Sequence, residues 1–282
     1  MSTYKKIGLL LTDITSSGIT HDFFAPIIES FKRRIEKDGY QVSFLNTTNH
    51  DMTYVEQVEY YGYDGLFVTN IDIITPDVQE LFSLDLPTVT IDYKYEGTLS
   101  ITSDNFGGIQ DLVKYIYNSG HRRIAFISGD PESHISQLRL NTFKEICADL
   151  GVVQDPEYIK IGKFRNPILM GRFTEELLSL PIPPTCIMYP DDYAAVGGIN
   201  VLRGRGLEIP KDISYAGYDG VNIVGLFEPS ITTVCQDVLT IGAVAGEELI
   251  KMIESNTQHS NEEIIVPTKL RKGNTIRQIF AK

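Results

Sequence analysis

The feature that most constrains the fold of this chain is a regular alternation of short apolar runs with longer segments of helical period. The first run, KIGLLLTD, is followed by a polar loop and by a segment in which Phe24, Ile27, Ile28, Phe31 and Ile35 recur at helical spacing. Short apolar runs that end at a turn signal are typical of buried strands. Because such strands are apolar on both faces, the sequence predicts parallel sheets covered by helices.

The same alternation continues through residue 220. Later strand segments are YQVSFLNT, DGLFVTN, PTVTID, SITSDN, RIAFISGD, YIKIGK, TCIMYPDD and ISYAGYDG. A chain of 282 residues is long enough for two lobes of roughly 100–150 residues each. We therefore expect an α/β fold with two doubly wound parallel sheets. In open sheets of this kind ligands bind beyond the carboxyl ends of the strands, so polar residues that end the strands form the predicted site.

The charge balance argues against direct DNA binding by this chain. Its 37 acidic and 25 basic side chains give a net charge of −12, which repels polyphosphate. The sequence contains no run of about 18 apolar residues and no apolar stretch of a secretory signal near its start. These features predict a cytoplasmic protein without a membrane span.

Metal and redox sites have little support in the sequence. Cys147, Cys186 and Cys235 are widely spaced in apolar contexts and are predicted to be buried thiols. The five histidines show no ligand spacing, so no metal or cofactor is expected.

Motifs typical of an enzyme are also missing. We find no nucleophile elbow, phosphate loop or metal cluster, which a small-molecule hydrolase or kinase on an α/β scaffold would need. His121 follows the helix-ending Gly120 and has no nucleophile paired with it by pattern. The glycine pairs of GGIQ and VGGIN lack phosphate-loop context and are predicted to serve helix packing.

Three long stretches carry a family resemblance. They are SDNFGGIQDLVKYIYNSGHRRIAFISG at 103–129, SQLRLNTFKEICADLG at 136–151 and PTCIMYPDDYAAVGGINVLRGRGLEIPKDISYAGYDG at 184–220. Together with PSITTVCQDVLTIGAVAGEELIKMI they resemble the effector-binding part of LacI/GalR transcription regulators, which has the periplasmic-binding-protein-like type I fold. The resemblance implies two doubly wound subdomains joined by a three-stranded hinge, 1–103 with 238–266 and 104–237 with 267–282.

A function follows from the resemblance as an expectation. A small-molecule effector, a sugar first of all, is expected to bind between the subdomains of a homodimer and to set the angle between them. That angle would control the binding of operator DNA by N-terminal helix-turn-helix heads, which are expected to be missing from this chain. The segments TPDVQELFSLD and AVAGEELIKMI are the candidate dimer surface. The alternative is a transport-linked periplasmic or lipoprotein sugar-binding protein, which would be a monomer.

One motif departs from the family. The usual Asn-Asp pair is Asp191-Asp192 here, preceded by Pro190. An amide that donates and accepts hydrogen bonds is thereby replaced by a carboxylate that only accepts them. Ligand preference is expected to differ accordingly.

Charged side chains of the second subdomain are the first candidates for ligand contacts. The resemblance implies that Arg139 faces the ligand, where its guanidinium suits paired hydroxyls or a carboxylate; otherwise it is a surface arginine of its helix. Asp191 and Asp219 end strands and could accept hydrogen bonds from sugar hydroxyls, or they could cap the following helices. Asp192, which precedes YAAVGG, is the predicted helix cap.

Aromatic side chains could stack on the apolar face of a sugar or purine. Phe23 and Phe24 open the first helix, and one of them is expected to belong to the core. The resemblance implies that Phe164 and Tyr193 form the opposite wall.

Polar residues at strand ends complete the candidates of the first subdomain. Asp13 and Asp92 end strands one and four, and Thr69, Asn70 and Ser103 end neighbouring strands. The last three could equally be turn residues without a part in binding.

Overall fold

A computed structural model describes residues 5–11, 20–45, 52–70, 75–153, 155–255 and 262–279, without the side chains of residues 223 and 224. The chain forms two compact units, Met1–Ser103 with Asp237–Val266 and Asp104–Gln236 with Pro267–Lys282. It passes from one unit to the other three times. The second crossing lies between Gln236 and Asp237, one residue earlier than expected.

The first unit contains six strands and four helices among its described residues. In chain order these are β1 (Lys6–Leu11), α1 (Phe24–Glu36), β2 (Gln41–Phe44), α2 (Tyr54–Tyr61), β3 (Gly65–Thr69), α3 (Pro76–Phe82), β4 (Thr88–Ile91) and β5 (Leu99–Ser103). After the second crossing it gains α8 (Val238–Ser255) and β11 (Glu263–Val266).

The second unit also has six strands and four helices within the described part of the chain. They are α4 (Asn105–Asn118), β6 (Ile124–Ser128), α5 (His134–Asp149), β7 (Ile159–Ile161), α6 (Pro167–Leu178), β8 (Cys186–Met188), α7 (Asp192–Gly204), β9 (Ser214–Asp219), β10 (Thr232–Cys235) and β12 (Lys269–Arg271). Short 3-10 turns lie at Pro156–Tyr158 and Asn222–Leu226.

The first sheet is parallel throughout. Its strand order is β11-β5-β4-β3-β1-β2, and every neighbouring pair runs in the same direction. Side chains alternate between its faces: Leu9 packs with α1 and α8, whereas Leu10 packs with α2 and α3. The predicted alternation of buried strands and covering helices is therefore confirmed.

The second sheet is parallel except at one edge. Its order is β12-β10-β9-β8-β6-β7, and β12 pairs with β10 in the antiparallel sense. The prediction of a parallel sheet is confirmed for the other five strands, and the sequence analysis made no prediction for the direction of β12. Strands that pair in parallel need a long crossover connection, usually a helix. β12 instead follows directly after the third passage of the chain between the units, and its Lys269 lies opposite Cys235 at the end of β10.

Glycines allow two close helix contacts. A Cβ on Gly242 of α8 would collide with the carbonyl oxygen of Ile27 in α1, and one on Gly197 of α7 would collide with the carbonyl oxygen of Pro167 in α6. Gly197 belongs to the VGGIN segment, so the prediction that its glycines serve packing is confirmed.

The cysteines are all free thiols. Cys147 and Cys186 are buried as predicted, and Cys235 is half-buried. Burial raises the pKa of Cys147 to about 12, so its thiol stays protonated at neutral pH. None of the described helices is both long enough and apolar enough to cross a bilayer.

His121 contacts two other parts of the second unit, the residue before β8 and the last described segment of the chain. Its Nε2 lies 3.1 Å from the carbonyl oxygen of Arg277 and its Nδ1 lies 2.9 Å from the hydroxyl of Thr185. Since the carbonyl only accepts, Nε2 carries a proton and donates it. Burial is the main cause that lowers the pKa of His121 to about 4.

This histidine makes the stability of the protein depend on pH. Because the unfolded imidazole binds a proton near pH 6.5 and the folded one only near pH 4, the stabilisation is complete above pH 6.5 and is lost as the pH falls toward 4. We expect His121→Gln to remove this contribution, which amounts to at most about 3 kcal/mol. Urea denaturation at pH 7, 5.5 and 4 measures it.

The exposed His134 provides the matched control. His134→Gln is expected to keep the pH dependence of the unchanged protein. If His121→Gln kept it as well, the neutral buried imidazole would not be its source.

Candidate functional site

The carboxyl ends of the parallel strands in the second unit meet at one edge of the sheet. Ser128 ends β6, Met188 ends β8, Asp219 ends β9 and Cys235 ends β10. Asp219 is therefore at this edge, Asp191 lies in the loop after β8, and Phe164 lies in the loop after β7. This is the edge where open α/β sheets bind ligands.

Arg139 lies beneath this edge and is only 5% exposed. Helix α5 places it there because Ile135, Arg139, Thr142 and Ile146 share one buried helix face. The alternative of a surface arginine is therefore wrong. Its Nε donates to Asn105 Oδ1 at 2.8 Å, and its Nη1 donates to the carbonyl oxygen of Pro190 at 3.3 Å.

Both hydrogen-bond partners of Arg139 are neutral. Among the described residues, no carboxylate forms an ion pair with Arg139 and no acceptor is hydrogen-bonded to its Nη2. A buried guanidinium needs acceptors to offset its lost hydration. The unused donors therefore mark a place where a ligand acceptor would be favourable.

Two aromatic rings flank the guanidinium. Its central carbon lies 3.6 Å from the ring centre of Tyr218 and 5.9 Å from that of Phe164, and the closer ring gives a cation–π contact. Phe164 packs directly over Gly129, where any Cβ would collide with the ring. Behind the rings lies a cavity of about 10 Å³, also lined by Ser136, which is room for about one water molecule.

Asp191 is the N-cap of α7. Its Oδ1 accepts from the Ala194 amide at 2.6 Å and its Oδ2 accepts from the Arg165 amide at 2.8 Å. Burial raises the pKa of the Asp191 carboxyl, while those two hydrogen bonds and the charges of Arg165 and Arg139 oppose the rise. Both oxygens thus serve the fold, as the capping alternative requires.

Asp192 is not the cap that the sequence predicted. It is the first residue of α7, and its Oδ2 accepts from the amides of Gly220 at 2.7 Å and Val221 at 3.1 Å. Burial and the nearby Asp219 carboxylate raise the pKa of Asp192 well above its ordinary value. The prediction failed because two adjacent carboxylates suit a cap equally well in sequence.

Asp219 follows as the half-buried carboxylate of this edge. Its φ of 97° places it in the left-handed region, a conformation that is uncommon outside glycine and often found at binding sites. Its Oδ1 accepts from Gln236 Nε2 at 2.7 Å.

A second cation–π pair lies next to Asp191. The guanidinium of Arg165 lies 4.4 Å from the ring centre of Tyr193, and the backbone of Arg165 is left-handed with a φ of 50°. Because the Arg165 amide donates to Asp191, the β7–α6 loop that carries Phe164 is fixed to the start of α7. Sequence pattern gave no signal for Arg165.

The carboxyl edge of the first sheet holds the other polar candidates. Thr69, Asp92 and Ser103 lie at or just after the ends of the neighbouring strands β3, β4 and β5. Asn70 and Asp92 are left-handed, with φ values of 59° and 56°, and Thr102 Oγ1 donates to Asp92 at 2.7 Å. The four candidates therefore share one edge, as parallel strands require.

The aromatic candidates of the first unit separate as expected. Phe23 is 6% exposed and packs in the core of the first unit. Phe24 is half-buried, with His21 at 4.8 Å between ring centres. His21 is a neighbour that the sequence analysis missed. Asp13 lies outside the described residues.

Three residues of the second unit were missed by the sequence analysis: Asn105, Arg165 and Tyr218. Asn105 and Tyr218 both lie inside the motifs that carry the family resemblance, so a signal for them existed. In the part of the chain that the structure describes, no group of three or more His, Cys, Asp or Glu side chains could hold a metal ion.

Comparison with known families and curated proteins identifies relatives. The family described as periplasmic binding protein-like domain matches residues 113–276. The HTH-type transcriptional repressor PurR of Histophilus somni is 28% identical over 280 residues, which cover 97% of this chain and 82% of the repressor. The HTH-type transcriptional repressor CytR of Escherichia coli is 25% identical over 264 residues, which cover 91% of this chain and 76% of CytR.

Solved structures show the same fold. A LacI transcriptional regulator of Bacillus cereus subsp. cytotoxis superposes with a TM-score of 0.88 at 23% identity, covering 99% of this chain and 100% of that one. A LacI family regulator of Enterococcus faecium with bound ribose gives a TM-score of 0.82 at 21% identity, covering 98% and 100%. The predicted fold class is therefore confirmed.

The capping role of Asp191 can be tested by its effect on stability. Asp191→Ala leaves the amides of Ala194 and Arg165 without their acceptor in a buried place, and we expect a loss of about 2–4 kcal/mol in the free energy of unfolding. Ser133→Ala is the matched control, because Ser133 caps α5 through one long bond of 3.4 Å and should cost less than about 1 kcal/mol. Urea denaturation compares the two, and equal losses would contradict the assignment.

Proposed function

This chain belongs to the family of periplasmic binding protein-like domains, in the form that LacI/GalR regulators use to bind effectors, and we propose that its effector is a small polar molecule, a sugar first of all. The single observation that carries the proposal is Arg139, a buried guanidinium with neutral partners and with donors that no described residue accepts.

Sugar chemistry fits these donors. Adjacent hydroxyls of a sugar present oxygens that can accept from a planar guanidinium, and the apolar face of the ring stacks on aromatic side chains. Phe164 lies beside Arg139, and Tyr193 lies in the first turn of α7. The ribose bound by the structural neighbour from Enterococcus faecium supports the same class of ligand.

The carboxylates divide their roles in this proposal. Asp191 already accepts two backbone amides and shapes the loops, so we propose that it has a smaller part in accepting from sugar hydroxyls. Asp219 is then the carboxylate that would accept from the ligand in this unit. In the first unit Asn70 and Asp92 would supply polar contacts from a second edge, with Thr69, Ser103 and Phe24 as weaker candidates and Asp13 a prediction from sequence only.

The curated relatives support a role in a transcription regulator. Both curated relatives are named as transcriptional repressors and not as enzymes. We propose that the protein is a cytoplasmic homodimer and that effector binding changes the angle between the two units of each chain. This angle would set the affinity for operator DNA through helix-turn-helix heads. The net charge of −12 supports DNA contact by a separate segment, since it disfavours phosphate contact by this chain.

A ligand screen tests the effector. Thermal unfolding is followed with ribose, cellobiose, sugar phosphates and nucleobases, and a sugar at 100 times its Kd should add about 2.7 kcal/mol. Arg139→Lys should weaken its binding at least tenfold, because one ammonium cannot replace the planar pair of donors. A screen in which no sugar binds would refute the proposal, and binding of nucleobases alone would redirect it to that class.

Arg122 provides the matched control for this screen. It is an exposed arginine that also stacks on a tyrosine, 3.7 Å from the ring centre of Tyr117. Arg122→Lys should leave the affinity unchanged. An equal loss of affinity in both variants would show a general effect of removing a guanidinium.

The size of the purified chain separates the regulator from the transport-linked alternative. A regulator core should elute as a dimer of twice 31.6 kDa, whereas a transport-linked binding protein should elute as a monomer. Light scattering at several protein concentrations measures the mass, and a monomer at every concentration would favour the alternative.

A further inference from the structure

Two buried amide side chains lie beside the points where the chain passes between its units. Asn105 is the second residue after the first crossing, and Gln236 is the last residue before the second. They are 2% and 7% exposed. Each is hydrogen-bonded to one of the charged effector candidates of the second unit: Asn105 Oδ1 accepts from Arg139, and Gln236 Nε2 donates to Asp219.

The third crossing packs against the same group of residues. Thr268, the second residue after it, donates to the carbonyl oxygen of Asp104 at 3.3 Å. A Cβ on Gly108 would lie 3.0 Å from the hydroxyl of Thr268 and would collide with the hydroxyl of Tyr218. Tyr218 is the ring under the Arg139 guanidinium, so Gly108 lies between the residues beside the third crossing and the candidate site of this unit.

We propose that Asn105 and Gln236 are positioning residues that couple Arg139 and Asp219 to the backbone beside the crossings. The effector's part in this coupling rests on the proposed function. A ligand bound to Arg139 and Asp219 would then also hold these amides and the first turn of α4 in one conformation. It would favour the states of the protein in which those segments have that conformation.

The chemistry of the two amides explains why they suit this role. Asn105 offers Arg139 a neutral acceptor, so the positive charge stays available to a ligand; a carboxylate there would form an ion pair with it. Gln236 gives Asp219 a neutral donor. In each pair the amide orients a charged side chain and itself carries no charge that would neutralise it.

Hydrogen exchange of the free chain tests the coupling. The reporters are the amides of Gly107 and Gly108, which donate to Asp104 at 2.7 and 3.0 Å at the start of α4. Arg139→Met and Asn105→Ala should each speed their exchange by about tenfold, and the double variant should be no faster than either, since both changes break one interaction. Additive effects, or no effect of Arg139→Met, would overturn the proposal.

Two further variants separate positioning from a general loss of structure. Asn105→Asp keeps an acceptor for Arg139 Nε and should keep the slow exchange. If Asn105→Ala does not fold, Asn105→Ser takes its place, because serine is too short to reach Arg139 and should give the same fast exchange. Arg122→Met should leave exchange at Gly107 and Gly108 unchanged. Fast exchange in Asn105→Asp or in Arg122→Met would overturn the proposal.

The second amide has its own signature in pH. Gln236→Glu sets a carboxylate against Asp219, so protection of the residue-236 amide, which donates to the Asp219 carbonyl at 3.1 Å, should fall at pH 7. It should recover below about pH 5, where the two carboxyls share a proton. Protection that does not depend on pH would overturn this half. Since no ligand is added, these outcomes are independent of whether a sugar binds.

Discussion

The parallel pairing of strands is the constraint on which the rest of this structure depends. It brings the carboxyl ends of neighbouring strands to one edge of each sheet, so side chains that are far apart in sequence become neighbours. In the second unit this edge collects Ser128, Pro190 and Asp219 from three strands. The exception, β12, enters without a crossover helix and runs antiparallel, but it lies at the far edge of the sheet beside β10.

The edge of the second unit is organised by how each buried charge is compensated. Asp191 and Asp192 accept two backbone amides each, so these carboxylates fix the loops that follow β7 and β9. Among the described residues, Arg139 has only neutral partners and two aromatic neighbours. The acids are thus anchored by backbone amides, while the guanidinium keeps unused donors. That difference is the physical basis for regarding Arg139 as the centre of recognition.

Much of the fold could be predicted because local pattern and tertiary structure agree there. The run KIGLLL is a buried strand, and the periodic segment after it is a helix with Ile27, Phe31 and Ile35 buried. The site was predicted less completely, since burial and partners are properties of the folded chain. Helical spacing alone could not rank Phe23 against Phe24, and strand-end position could not say that Asp191 would cap α7.

The sequence by itself determined the α/β class, the order of the elements and the family, because hydrophobic period and motif spacing are local properties of the chain. It also identified Arg139 through the motif in which it lies. Only the tertiary structure decided which charges find partners inside the protein. Asp192 accepts from the amides of Gly220 and Val221, and Arg165 packs on Tyr193. Asn105 is hydrogen-bonded to Arg139, and Gln236 is hydrogen-bonded to Asp219. These pairings depend on distances between residues far apart in sequence, and such distances exist only after the chain has folded.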